Sequence, residues 1–236
     1  MSNEMRISHK KILLDSIRSD RHFTLNYPEN PRLSDTLCAF IMAPKMAPMS
    51  DGKYAILLVL ISAHSLLGGY FAATRPEGAG WRAFSWHPML MMCGMFGMMG
   101  AAAITKKRGG YTNTKLHGMM AWGGMMLAGG GLYAIYGHKN AMGKAHFTTL
   151  HSWAGLAAFG GCICAGMAGG VFLHPDFGID KQNKLIRTVH KYLSRALLML
   201  AWMATLSGLK TLVGDDIKTL ILFAAPLVVV APFTLM

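Results

Sequence analysis

The chain carries ten histidines, and four of them, His87, His117, His151 and His190, recur at intervals of 30, 34 and 39 residues. Imidazole binds transition metals, carries a proton near neutrality, and both donates and accepts hydrogen bonds. The cysteines point elsewhere. Cys38, Cys93, Cys162 and Cys164 form no C-x-x-C pair, so the chain carries no motif for a zinc ribbon, thiol exchange or covalent haem attachment. What the four imidazoles can do depends on the elements that hold them.

Apolar residues make up 53% of the 236 positions and charged residues 14%, against about 25% charged in ordinary soluble domains. That excludes a conventional water-soluble enzyme and a disordered chain. A net charge of +12 would suit nucleic acid only if the cations shared one folded soluble face. They fall instead between apolar stretches, so no nucleic acid is expected. Residues 54–74, 83–105, 116–138, 145–175 and 219–236 hold no Asp, Glu, Lys or Arg, and 188–209 holds only Lys191 and Arg195. A helix that crosses ~30 Å of hydrocarbon at ~1.5 Å per residue needs about 20 apolar residues. The pattern predicts an all-α membrane protein with six transmembrane helices over residues 53–236. Residues 1–52 form a tail without the apolar core of a signal peptide. Ile7, Leu13, Leu14 and Ile17 suit a short amphipathic helix there. Pro28, Pro31, Pro44 and Pro48 predict an irregular linker.

The basic residues set the orientation. The tail and the second and fourth connections hold 17 Lys and Arg, against six on the opposite side, so both termini face the cytosol. Even without the tail the loops favour this side, nine to six. His87 and His151 then start helices that run inward, near the outer face. His117 and His190 start helices that run outward, near the inner face. In an up-down four-helix bundle, sequence neighbours are adjacent. The second and fourth helices therefore face each other diagonally, as do the third and fifth. Each histidine pair can close on one plane from both sides, as two axial imidazoles do on a haem iron. Two such sites would stack along the membrane normal, with irons roughly 20 Å apart.

Alternatives fit less well. Zinc wants more than two histidines per level, and no Cys-rich cluster or carboxylate is there to add ligands. A proton relay usually adds membrane carboxylates, and the second to fifth helices have none. Glycines suit the passage of a flat macrocycle or close helix contact: Gly94, Gly97 and Gly100, then Gly118, Gly123, Gly124, Gly129, Gly130 and Gly131, then Gly155, Gly160, Gly161, Gly166, Gly169 and Gly170. Methionines such as Met91, Met92, Met95, Met98 and Met99 are soft core filler, and His/His ligation gives a lower potential than His/Met. His64 is expected as hydrogen-bonded packing, His174 as a helix-end residue before Pro175, and His9 and His22 as tail.

Ser85-Trp86-His87-Pro88, Lys115-Leu116-His117-Gly118, His146-Phe147-Thr148-Thr149-Leu150-His151-Ser152-Trp153-Ala154-Gly155 and Val189-His190-Lys191-Tyr192 resemble the transmembrane cytochrome b561 family over roughly residues 53–215. Gly137-His138-Lys139-Asn140 and Gly143-Lys144-Ala145-His146 resemble its small single-domain branch. The resemblance implies six helices, of which the central four hold two haems b. Their ligands are His87 with His151 (outer) and His117 with His190 (inner), and no residue is a covalent catalyst. It also implies electron transfer from cytosolic ascorbate to monodehydroascorbate or a ferric chelate across the membrane, and a homodimer.

For an anionic donor a basic inner mouth is apt, and Lys106, Lys107, Arg108, Lys115 and Arg187 supply one. Family members with a defined ascorbate site carry two lysines shortly before the second haem histidine. Arg108 and Thr112 stand there, so the charge survives at one position. On the outer side His138, Lys139 and His146 can bind an anionic acceptor or ferric ion, or transfer a proton. Two other functions compete: a quinol-linked dihaem subunit of a larger complex, and a haem-free transporter or proton channel, which would call for a membrane carboxylate or broken-helix repeat.

Overall fold

Helix ends in this chain are written by glycine, proline and capping side chains. The computed structural model describes residues 48–235; the amphipathic segment expected at residues 7–17 lies outside them. α1, Asp51–Ala73, opens with an acidic residue at its positive end and stops three residues before Pro76. The second rod starts as a single turn, Ala83–Ser85. It continues as α2, Trp86–Met91, then a π-helical stretch, Met92–Met98, and α3, Met99–Lys107. Gly109 and Gly110 turn the chain at φ of +72° and +83° into α4, Tyr111–Ala141. α5, Leu150–Leu173, begins at Thr149, whose hydroxyl accepts from the Ser152 amide while Ser152 caps Thr149 in return. It ends at His174, before Pro175, as expected. α6, Lys184–Val213, is capped by the Asn183 side chain, which accepts from the Leu185 and Ile186 amides, and ends at Gly214. α7, Ile217–Leu235, tolerates Pro226 and Pro232 inside it, as membrane helices can.

Five of these rods are long and apolar enough to cross a membrane: α1, the second rod, α5, α6 and α7. Their exposure is the physical reason to put them in lipid. Only 17% of the apolar window of α5 is buried inside the protein, against 56% for the second rod. Leu67 of α1 and Leu222 of α7 are over 70% exposed. α4 is longer and carries polar residues in its first and last turns.

The helices pack in ring order: second rod on α4, α4 on α5, α5 on α6, and α6 back on the π stretch. The second rod and α5 are not principal neighbours, nor are α4 and α6. That is the diagonal arrangement inferred from direction alone. α1 and α7 flank the bundle beside the second rod and α6.

The π stretch follows from close approach. A Cβ at Gly94 would lie 2.5 Å from the Gly124 carbonyl oxygen, and one at Gly97 would lie 2.8 Å from Ser65 Oγ. The second rod is pressed onto α4 and α1 at once, and one extra residue per turn lets its face point both ways. Of the charge-free run 145–175, residues 145–149 form a loop and cap, and the helix begins at Leu150. One expectation is corrected here. His64, expected to be hydrogen-bonded, has a buried Nε2 without a partner. It sits edge-on to Phe96 and Phe223 at ring separations of 5.0 and 4.8 Å.

Candidate functional site

His87 and His151 are the second residues of their helices, His117 and His190 lie in the second turn of theirs, and all four lean across the bundle. His87 Nδ1–H donates to the Gly131 carbonyl on α4 at 3.0 Å. His151 Nδ1–H donates to Ala204 on α6 at 2.8 Å, and His117 Nδ1–H to Ala102 on α3 at 3.0 Å. His190 Nδ1 faces the Ala165 carbonyl but falls short of hydrogen-bond geometry and is buried unpaired. Three backbone carbonyls thus fix the Nδ1–H tautomer, which leaves the Nε2 lone pair for a metal.

The rings meet in the expected pairs. His87 and His151 face each other with centroids 6.2 Å apart and planes at 88°. His117 and His190 do so at 6.5 Å and 90°. Two metal–imidazole bonds of about 2.1 Å, with each nitrogen about 1.1 Å from its ring centroid, separate trans-axial centroids by about 6.4 Å. Both pairs match that spacing. Among the described residues no three or more His, Cys, Asp or Glu converge, so neither pair makes a zinc cage. Along the second rod, fifteen residues separate His87 from Ala102. Along α6, fourteen separate His190 from Ala204. At ~1.5 Å per residue the α6 interval puts the two levels about 21 Å apart.

Space for a flat ligand accompanies the His87–His151 pair. A cavity of about 370 Å³ opens between His87 and His151, floored by Met92, Met95 and Ala201. Gly155 lines it, and a Cβ there would meet nothing within 4 Å although the residue is half-buried. Elsewhere the fit is tight. A Cβ at Gly208 would come within 2.7 Å of the His151 ring, and one at Gly169 within 2.8 Å of the His190 ring. Gly208 was not singled out from the sequence. The signal was present: Gly169 follows His151, and Gly208 follows His190, by 18 residues, five whole helical turns. Paired imidazoles with free Nε2, a void beside them and glycine seats fit haem b.

The basic residues at the end that holds His117 and His190 divide. Lys106 donates to Thr114 Oγ1 at 2.6 Å and lies within electrostatic reach of His117, His190 and Arg187. Lys107 neighbours Lys191 and Arg195. Arg108 is ion-paired with Asp51 at 2.5 Å and stacked over Tyr54. Lys115 is ion-paired with Asp176 at 2.9 Å, which also accepts from Tyr111 Oη. Those two bonds, Tyr111 foremost, hold the Asp176 carboxyl below its ordinary range.

At the end that holds His87 and His151, Lys139 and His146 line the cavity. Lys139 Nζ donates to Ala145 O at 2.9 Å. His146 Nε2–H donates to Asn140 Oδ1 at 2.7 Å, and its ring stacks on Tyr136 at 4.2 Å. His138 stands beside the mouth, against Phe84.

Residues 86–214 match the model of a family described as eukaryotic cytochrome b561. The chain belongs to the cytochrome b561 family. All four bundle histidines lie inside the matched residues, and α1 and α7 lie outside. Similar proteins include the transmembrane ascorbate-dependent reductase CYB561 of Bos taurus, 27% identical over 159 residues, covering 65% of this chain and 62% of that protein. Another is the lysosomal membrane ascorbate-dependent ferrireductase CYB561A3 of Rattus norvegicus, 29% identical over 133 residues, covering 53% of this chain and 52% of that protein. The chain thus spans between half and two thirds of the length of these relatives. Membership in a cytochrome b561 family implies haem b binding. With five apolar spans, it makes this an integral membrane protein.

Proposed function

We infer that this cytochrome b561 carries single electrons across the membrane, from ascorbate in the cytosol to monodehydroascorbate or a ferric chelate on the opposite side. The observation that carries the reading is the pair of imidazole sandwiches, 6.2 and 6.5 Å wide, at two levels of one bundle. His117 and His190 would hold an inner haem b, and His87 and His151 an outer one. Bound there, the group supplies a one-electron couple at each level.

The chain's own residues do the rest. Gly131, Ala204 and Ala102 carbonyls hold the imidazole tautomers. The apolar cavity floor excludes water from the outer level. Lys106, Lys107 and Arg187 attract the anionic donor to the inner end, while Arg108 and Lys115 are engaged by carboxylates and contribute less. At the outer end Lys139 and His138 attract an anionic acceptor. His146, with Nε2–H held by Asn140, takes a proton on Nδ1 and hands it to the reduced acceptor. In this reading α4 is the sixth transmembrane helix, residues 53–236 are the membrane domain, residues 1–52 are a cytosolic tail, and the chain forms a homodimer. A quinol-linked subunit would share the four ligands, but the relatives are named for ascorbate.

The test is reduction of the purified protein by ascorbate, followed by mixing with monodehydroascorbate or ferric citrate. Rapid appearance of the reduced α band of both haems with ascorbate, and its loss when an acceptor is added, is expected. A protein that ascorbate leaves oxidised while a quinol reduces it would overturn the reading.

A further inference from the structure

Residues 142–149 cross the outer mouth between α4 and α5, pinned at both sides. On the α4 side the Lys144 amide donates to Lys139 O, and Lys139 Nζ to Ala145 O, each at 2.9 Å. His146 is held by Asn140 and stacked on Tyr136. On the α5 side Thr149 and Ser152 cap each other. Only Phe147 and Thr148 lie between the anchors, and Phe147 takes up the turn with φ +52°. Among the described residues it is the one non-glycine with a positive φ. That region crowds Cβ against the backbone, and a bulky side chain rarely enters it. Glycine would make the turn without strain, so the loop alone does not explain a phenylalanine.

The ring's position does. Phe147 is half-buried and lines the cavity that holds His87 and His151, on the same rim as Lys139 and His146. It touches the His146 ring at 6.1 Å and Trp153 at 5.9 Å. Strained residues persist where surrounding structure fixes them, and such places are commonly functional.

We propose that Phe147 is a specificity-determining residue of the outer site: its ring, turned in by the left-handed backbone, is a fixed lip that admits small flat anions and holds bulkier ferric chelates away from the outer imidazole pair. This rests on the electron-transfer reading above and names the acceptor class of its outer end as a flat ene-diolate such as monodehydroascorbate. The lip does not swing, because the loop is tied on both sides of it.

Phe147→Gly and Phe147→Asn both tolerate the backbone angle and remove the ring; Phe147→Ala removes the ring but keeps the strain. In full-length haem-loaded protein, all three variants should raise kcat/KM for ferric citrate relative to monodehydroascorbate roughly tenfold, the scale of a steric pocket's discrimination. Calorimetry with gallium(III) citrate, a redox-inert ferric stand-in, should show tighter binding by the variants. Melting should rank Phe147→Gly above Phe147→Ala. Unchanged gallium binding and unchanged acceptor preference in Phe147→Gly would overturn the lip. Wild-type protein that neither acceptor reoxidises would instead overturn the electron-transfer reading, and the gallium measurement, which needs no electron, still decides the lip.

Discussion

Gly169 of α5 leaves the space in which the ring of His190 of α6 sits, since a Cβ there would lie 2.8 Å from its Cε1. The relation is reciprocal: Gly208 of α6 seats His151 of α5, at 2.7 Å. Two helices packed along their length each lend a glycine to the other's histidine. Gly169→Ala should push His190 off its position and deplete the inner haem, with the outer one retained. Gly208→Ala should do the reverse. Overpacking of this kind costs ~1–3 kcal/mol, enough to lower occupancy without unfolding the bundle. Haem spectra resolved by redox titration check it.

Lys106 is the inner cation whose field reaches both His117 and His190. Lys106→Gln should raise the KM for ascorbate several-fold and leave haem content intact. Arg108→Gln, which removes a partner already committed to Asp51, should change KM far less. High salt should weaken the wild-type preference, because exposed charges are screened beyond ~8 Å at physiological ionic strength.

Tyr111 and Lys115 of α4 clamp Asp176 in the connection to α6. The folded carboxyl is held below its ordinary range by these bonds. The unfolded value is about 3.9, so the clamp's contribution is complete above that pH. It is lost as pH falls through the lower folded value. Amide protection factors in residues 174–183 should therefore be flat from neutrality to about pH 4 and fall below it, whereas in Asp176→Asn they should already be low at neutrality.

Thr149 and Ser152 cap each other at the start of α5, one on each side of His151. Thr149→Ala should destabilise the protein by ~1 kcal/mol and loosen the outer level first. A lower melting temperature with outer-haem loss preceding inner-haem loss on heating is the expected observation.

Much of this was legible because lipid imposes a simple rule. Charge-free runs mark spans, and His87, His117, His151 and His190 fall in phase with them, so alternating direction alone assigns pairs and levels. Boundaries were less legible. α4 extends to Tyr111 and Ala141 because Lys115 and Lys139 reach out from the helix ends, whereas 145–149 is charge-free yet turned out of helix by Phe147 and the Thr149 cap. Contacts distant in sequence were hidden. Arg108–Asp51 lies 57 residues apart and Tyr111–Asp176 lies 65 apart, so no local pattern reveals which cations are already neutralised. The π stretch likewise depends on Gly94 meeting Gly124 of another helix.

Haem stoichiometry in single-histidine variants tests the two-level assignment most directly. Purified wild-type protein should give two haems b per chain by pyridine haemochrome. His87→Ala and His151→Ala should each keep only the component held by His117 and His190, and His117→Ala and His190→Ala only the other. Two intact haems in all four variants, or loss of the same haem from His87→Ala and His117→Ala, would contradict it.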